Sequence, residues 1–293
     1  MRSPIGPEIG SVGAVSGSVT RAMRLMTAGP IPLDGFTVAP LTLEGVTRDV
    51  YRRGTGPGVV VMHEVPGITP AVASFGRIVA DAGFTVLMPT MFGTPGRAWS
   101  LPSSLTSIAR ACVSREFSVF ATNGTSPIIS WLRALCAAAH EELGGAGVGA
   151  IGMCLTGNFA LALMVDPSMM APVLSQPSLP FAITKSMRRG LHLGADDLAI
   201  VKRRAAEGVP LLGLRFTGDF MCPASRFQHL RSELGDAFEA IEIDSSRGNA
   251  HGIPGTAHSV VTEHLVDKEV HPTKIALDRV LSFFRERLHP SSP

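Results

Sequence analysis

Residues 149–158, which read Gly149-Ala-Ile-Gly-Met-Cys-Leu-Thr-Gly-Asn158, decide the fold. An apolar run leads into this stretch and an apolar, helix-like run follows it, so Cys154 stands at a predicted strand-to-helix corner. Gly152 and Gly157 flank the cysteine, as suits a tight turn where the strand and helix backbones approach closely. The pattern is typical of a nucleophile elbow, although Thr156 stands where glycine is usual. A structural thiol buried near a helix start is the alternative interpretation.

Strands and helices alternate on both sides of this corner. Buried strands are predicted at 58–62, 84–88, 171–175, 211–216 and 238–243, after an antiparallel pair at 41–44 and 47–53. Helices are predicted at 70–82, 127–142, 197–207, 224–234 and 273–288. This alternation indicates an α/β fold with a mostly parallel sheet and helices on both faces. We expect an irregular N-terminal arm at 1–33 and one domain at 34–293.

The composition excludes several classes of protein. A net charge of only +2 with no long basic run gives no support for binding of nucleic acid or a membrane surface. Four cysteines without a CxxC pair or a framework spacing favour a reducing compartment. The N-terminus has no signal-peptide pattern, and no apolar stretch is long enough to span a bilayer. We therefore expect a cytoplasmic protein, and its oligomeric state stays open.

Chemically reactive side chains follow several of the predicted strands. Glu64, Cys154 and Asp219 each come at a strand end, and a histidine follows the strand at 238–243. In open parallel sheets, sites form outside the carboxyl ends of the strands. A histidine can take the thiol proton near neutral pH, and a carboxylate can orient and stabilise that imidazole. Both His251 and His258 could reach the site, and the Ala-His-Ser context favours His258.

These residues resemble the dienelactone hydrolase family, a branch of the α/β-hydrolases. The matching segments are Val59-Val-Val-Met-His-Glu-Val-Pro-Gly67, Phe84-Thr-Val-Leu-Met-Pro89 with Phe92-Gly93, Ile151-Gly-Met-Cys-Leu-Thr-Gly157, Thr217-Gly-Asp219 with Pro223, and Ala257-His-Ser259. The similarity covers about residues 45–288. It implies an α/β-hydrolase fold and a hydrolase of carboxylic esters.

The resemblance also implies roles for individual residues. Cys154 would be the nucleophile, Asp219 the acid and His258 the base. In this family, the glutamate of the first loop lies near the thiol and helps to form the thiolate when substrate binds. That role would fall to Glu64. His63, which stands where the family often has glutamine, is interpreted as a structural group.

Further roles concern the oxyanion and the substrate. The resemblance implies that the backbone N–H groups of Leu155 and Val65 form the oxyanion hole. Members that cleave dienelactone use an arginine soon after the catalytic histidine to bind the substrate carboxylate, but 258–262 contains no arginine. Arg115 is the candidate that could supply this charge. We expect no metal and no cofactor, because the histidines at 251, 258, 264 and 271 lack a ligand spacing.

The sequence therefore predicts a hydrolase of small esters or lactones that works through an acyl-enzyme. One alternative is a non-catalytic ligand-binding member of the fold, which crowding of the elbow by Thr156 would favour. Another is a cysteine-dependent thioesterase or acyltransferase on the same scaffold. Segments 90–123 and 176–195 are expected to cover the pocket. We also expect activity to fall at acidic pH, as His258 becomes protonated before substrate binds.

Overall fold

Apolar strands that are buried along their whole length form the centre of one eight-stranded sheet in the computed structural model, which describes residues 33–98 and 126–289. The strands are β1 (Thr37–Leu43), β2 (Val46–Arg53), β3 (Gly58–Met62), β4 (Thr85–Pro89), β5 (Val148–Met153), β6 (Met169–Ser175), β7 (Leu211–Phe216) and β8 (Phe238–Ile243). Their order in the sheet is β1-β2-β4-β3-β5-β6-β7-β8. β3 to β8 run parallel, and β1 and β2 pair antiparallel at one edge. The predicted α/β architecture is confirmed.

Helices cover both faces of the sheet, because each carries an apolar stripe that must be buried. The helices are α1 (Pro70–Asp81), α2 (Pro127–Leu143), α3 (Phe159–Leu163), α4 (Lys185–Arg189), α5 (Ala195–Ala206), α6 (Ala224–Leu234) and α7 (Pro272–Leu288). On one face, Trp131 of α2 and Phe227 of α6 belong to the same apolar core. On the other face, Phe75 of α1 and Phe284 of α7 belong to a second core.

Several predicted boundaries shift for local reasons. β1 begins at Thr37, earlier than the sequence predicts, and Glu44 and Gly45 close its hairpin with positive φ angles of 50° and 74°. The helix-like run after Cys154 forms the short helix α3, and a 3-10 turn at Cys154–Thr156 precedes it. The 176–195 segment contains the short helix α4, whose first turn is capped by the side chain of Thr184.

Arg226 of α6 anchors the 176–195 segment. Its side chain is fully buried and donates only to backbone carbonyls of that segment. The guanidinium contacts Pro177 O, Pro180 O at 2.5 Å, Met187 O at 3.1 Å and Gly190 O at 3.0 Å. The Arg226 guanidinium therefore holds four backbone carbonyls of the irregular segment that follows the carboxyl end of β6.

Some predictions fall outside the described residues. They include Arg115, most of the 90–123 segment that was expected to cover the pocket, and all of the predicted N-terminal arm except its last residue, so the limits 1–33 and 34–293 stay a prediction. Within 33–98 and 126–289, no helix is both long and apolar enough to cross a membrane.

Candidate active site

The corner after β5 is strained at Cys154. This residue has a φ of 54°, an uncommon backbone conformation for a non-glycine residue. A Cβ at Gly152 would lie 2.1 Å from Thr156 O, and a Cβ at Gly157 would lie 2.4 Å from Pro177 Cα. Only glycine fits at these two positions. The turn leaves Cys154 partly exposed at the carboxyl edge of the sheet.

Thr156 joins the ends of two strands. Its side chain is fully buried, and its hydroxyl lies 2.9 Å from Met62 O and 3.0 Å from Met153 O. The hydroxyl oxygen also accepts from Met153 N at 3.0 Å. Thr156 thus links the ends of β3 and β5, which pair through Met62 and Gly152.

Asp219 and His258 are hydrogen-bonded to each other. Nδ1 of His258 donates to Asp219 Oδ2 at 2.7 Å, and Met221 N donates to the other carboxylate oxygen at 2.9 Å. Arg215 steadies the loop after β7, because its guanidinium donates to Cys222 O and to Thr217 O. The acid and the histidine that the sequence predicts therefore meet, although 39 residues separate them along the chain.

The protonation of His258 depends on its neighbours. Burial alone would lower the pKa of His258, but the charges of Cys154 and Asp219 and their hydrogen bonds raise this pKa well above its ordinary value. These partners therefore favour the protonated ring. The expected fall of activity at acidic pH stays a prediction.

Glu64 lies against the loop that carries His258. Its buried carboxylate accepts from Ser259 Oγ at 2.6 Å, from Thr262 Oγ1 and from Gln176 Nε2 at 3.3 Å. Burial raises the pKa of Glu64, against the effect of the hydrogen bonds from Ser259 and Thr262 and of the charge on His258. The structure therefore connects Glu64 to the base through Ser259, the residue next to His258.

The structure adds two residues that the sequence did not indicate. Gln176 and Ser178 follow β6 directly, and both are buried. Gln176 Oε1 accepts from Val260 N at 3.3 Å, so its side chain ties the His258 loop to Glu64. Ser178 donates its N–H to Cys154 O at 2.9 Å. The rule that sites form at the carboxyl ends of strands points to this edge of the sheet, but nothing in the sequence singles out these two residues.

His63 is held neutral beneath the loop after β3. Its Nδ1 lies 3.1 Å from Glu64 O, and its Nε2 accepts from Met91 N at 3.0 Å. Burial lowers the pKa of His63 to about 4, opposed by the hydrogen bond to Glu64 O and helped by the charge of Arg48. These contacts agree with the structural role that the sequence indicates.

The remaining histidines of the last loop make contacts of their own. His251 is exposed and its ring lies edge-on to that of His271, with 5.3 Å between ring centroids. His271 caps α7 by accepting from Thr273 N, and His264 accepts from Ser259 N. In the part of the chain that the structure describes, no group of three or more His, Cys, Asp or Glu side chains could hold a metal ion.

The predicted oxyanion donors lie on adjacent strands. Leu155 follows the elbow at the end of β5, and Val65 follows Glu64 at the end of β3. Because β3 and β5 are neighbours in register, both residues stand at the same edge of the sheet. Their role stays a prediction, as does that of Arg115, which lies outside the described residues.

The order of the strands and the helices on both faces define an α/β-hydrolase fold. A dienelactone hydrolase-like promiscuous phosphotriesterase from metagenomic libraries matches it with a TM-score of 0.58 and 18% identity, over 86% of this chain and 98% of that one. Dienelactone hydrolase from Anabaena variabilis matches with a TM-score of 0.55 and 13% identity, over 87% and 98% of the two chains. An esterase from Pyrococcus furiosus matches with a TM-score of 0.55 and 13% identity, over 86% and 91%. These likenesses show the fold.

The sequence itself shows the family. The model of the dienelactone hydrolase family matches residues 48–288, and the chain belongs to this family. It is therefore a hydrolase of the carboxylic ester hydrolase kind. None of the curated proteins matches the sequence.

Proposed function

We propose that the protein hydrolyses small carboxylic esters or lactones through an acyl-enzyme on Cys154. The position of His258 between two partners carries this proposal. Its Nδ1 lies 2.7 Å from Asp219 Oδ2, and Cys154 is close enough for its charge to raise the pKa of His258. A thiol, an imidazole and a carboxylate in this order are the groups that nucleophilic acyl transfer needs.

In the first half of the reaction, the Cys154 thiolate attacks the acyl carbon and forms a carbon–sulfur bond. The tetrahedral intermediate then collapses, and the carbon–oxygen bond to the leaving alcohol breaks. His258 Nε2–H gives its proton to that oxygen, so the alcohol leaves neutral and the imidazole becomes neutral. Asp219 keeps Nδ1 protonated and thus leaves Nε2 to transfer the proton.

In the second half, the neutral His258 takes a proton from water, and the oxygen attacks the thioester carbon. The thioester has no charge on sulfur, so the thiolate no longer raises the pKa of His258. The imidazole can therefore act as a base in this step. Collapse of the second intermediate releases the acid and restores the thiolate and the imidazolium.

The N–H groups of Leu155 and Val65 are proposed to hold the oxyanion of both intermediates. Backbone donors fixed at a sheet edge need no reorganisation when the negative charge develops. Glu64 is proposed to favour thiolate formation through the base, because its carboxylate and the His258 imidazolium attract each other.

The polar groups after His258 favour substrates without a carboxylate. The 258–262 stretch contains no arginine, and the Thr262 hydroxyl donates to Glu64. This stretch therefore offers no guanidinium to a substrate carboxylate, and we expect uncharged esters or lactones to be preferred over dienelactone. Arg115 remains the candidate to bind a charged group.

Hydrolysis of p-nitrophenyl acetate, p-nitrophenyl butyrate, a simple lactone and a dienelactone tests the proposal. We expect wild type to cleave the uncharged compounds and Cys154→Ala to lose at least about a thousandfold in rate. Ser232→Ala, on the exposed side of α6, is the control and should keep full activity. Undiminished hydrolysis by folded Cys154→Ala would exclude Cys154 as the nucleophile.

A further inference from the structure

Ser178 contacts both the nucleophile and the base of the proposed site. Its N–H donates to the carbonyl of Cys154 at 2.9 Å, and its hydroxyl donates to the carbonyl of Gln176 at 3.1 Å. The same hydroxyl oxygen lies 3.4 Å from Nε2 of His258. Ser178 is buried, so solvent does not compete strongly for these contacts.

We propose that Ser178 is a positioning residue whose hydroxyl oxygen accepts a hydrogen bond from Nε2–H of protonated His258 and holds this ring beside Cys154. The inference rests on His258 being the base of the proposed function. It adds a group to the site that follows β6, a strand that contributes none of the predicted catalytic residues.

The direction of this hydrogen bond follows from counting protons. The hydroxyl of Ser178 has one proton, and the Gln176 carbonyl can only accept it. When His258 is protonated, Ser178 donates to Gln176 while its oxygen accepts from Nε2–H, a proton that it shares with Cys154 until acylation. When His258 is neutral, the hydroxyl must choose between Gln176 O and Nε2, and one contact is lost. Ser178 therefore stabilises the protonated ring.

Charged groups act on His258 from several sides. Asp219 after β7, Cys154 after β5 and Glu64 after β3 favour the protonated ring, and His264 on the same loop opposes it when charged. Ser178 differs from Cys154 because acylation does not remove it. Its oxygen can therefore accept from Nε2–H again as soon as the ring takes a proton from the water that attacks the thioester.

Three contacts fix the backbone beside Ser178. Arg226 donates to the carbonyl of Pro177, and Pro177 packs so closely on Gly157 that no Cβ would fit there. Asn158 donates to the carbonyl of Leu179 on the other side of Ser178. The hydroxyl is thus presented to His258 from an anchored stretch of chain.

An NMR titration of the His258 ring in a Cys154→Ala background tests the proposal, because this background removes the coupled thiol. The His258 signal is assigned by its loss in His258→Asn. We expect Ser178→Ala to lower the His258 pKa by about half a unit to one unit, the value of one lost hydrogen bond. Ser178→Thr, which keeps the hydroxyl, should restore the pKa, and Ser232→Ala should leave it unchanged.

A purely structural role for Ser178 gives the opposite sign. If the substitution only loosened the segment, water would reach His258, and relief from burial would raise its pKa. An unchanged or raised pKa in Ser178→Ala overturns the proposal. The titration needs no turnover, so this outcome is independent of whether Cys154→Ala abolishes ester hydrolysis.

Discussion

At the scale of single residues, the chemistry depends on a cysteine whose backbone is held in an unfavourable conformation. Cys154 has a φ of 54°, and the chain on either side of it contacts other backbone so closely that Gly152 and Gly157 cannot carry a side chain. Strain of this kind persists only where the surrounding structure imposes it. Here it leaves Cys154 partly exposed at the carboxyl edge of the sheet.

The close contact at Gly152 can be tested by adding one methyl group. In Gly152→Ala the new Cβ would meet Thr156 O at 2.1 Å, so we expect the free energy of unfolding to fall by about 3 kcal/mol or more. Gly255→Ala is the matched control, because its Cβ would lie at an ordinary distance of 3.6 Å from Ser245 O. Urea unfolding of both variants gives the comparison. If both substitutions lower the free energy of unfolding by a similar small amount, the close contact at Gly152 is contradicted.

The thiolate–imidazolium pair predicts the pH dependence of alkylation. The pKa of His258 is raised well above 6.5 by Cys154 and Asp219, in spite of burial, so the pair should persist through neutral pH. We expect iodoacetamide to modify Cys154 at pH 6.5 at least about tenfold faster in wild type than in His258→Asn. In the variant, the rate should rise with pH like that of an ordinary thiol, which titrates near 8.5.

Peptide mapping identifies the cysteine that has been modified. Cys136 and Cys222 are both buried and should react slowly. If the alkylation rate depends on pH in the same way in wild type and His258→Asn, Cys154 and His258 form no ion pair.

At the scale of elements, the 176–195 segment is the part of the fold that the sequence specified least. Its short helix and its path depend on Arg226, which is 36 to 49 residues away from the carbonyls that it binds. A hydrophobic pattern cannot indicate such a contact, because the partners are backbone carbonyls of any sequence. The elbow and the parallel strands were predictable since their signals are local: apolar runs, flanking glycines and strand ends.

The contacts of Arg226 predict a loss of stability that is localised in the structure. In Arg226→Met, four carbonyls lose their donor, and we expect a loss of about 3 kcal/mol or more in the free energy of unfolding. Trypsin should then cut faster within α4. Arg203→Met is the control, because Arg203 is largely exposed on α5. If trypsin cuts α4 at the same rate in both variants, Arg226 does not anchor this segment.

The candidate site shows the same division between local and distant signals. Cys154, Asp219 and His258 were predictable because each has a recognisable context after a strand. Gln176 and Ser178 were not, since nothing in Ser175-Gln-Pro-Ser178 indicates which residues it faces. Their roles appear only when β6 lies next to β5 and β7 and its carboxyl end meets the loop of His258.

At the scale of the whole molecule, stability should fall in mild acid because of His63. Burial lowers its pKa to about 4 in the folded protein, whereas the unfolded chain titrates near 6.5. Between these values the unfolded state binds the extra proton, so acid favours unfolding by up to about 3 kcal/mol. The loss of stability is absent above pH 6.5, grows as the pH falls and is complete below about pH 4.

His63→Gln is the comparison, because an amide can bridge Glu64 O and Met91 N without titrating. Urea unfolding at a series of pH values should give a flatter dependence for the variant than for wild type. Parallel curves would mean that His63 does not contribute to the acid sensitivity.

The measurement that tests the central claim most directly is capture of the acyl-enzyme. Wild type is mixed with p-nitrophenyl trimethylacetate, whose bulky acyl group is released slowly, and the reaction is quenched in acid before peptide mapping. We expect one acyl group on the peptide that contains Cys154, formed together with a burst of p-nitrophenol. An acyl group on a different residue, or steady turnover with no burst and no adduct on Cys154, would contradict the assignment of Cys154 as the nucleophile.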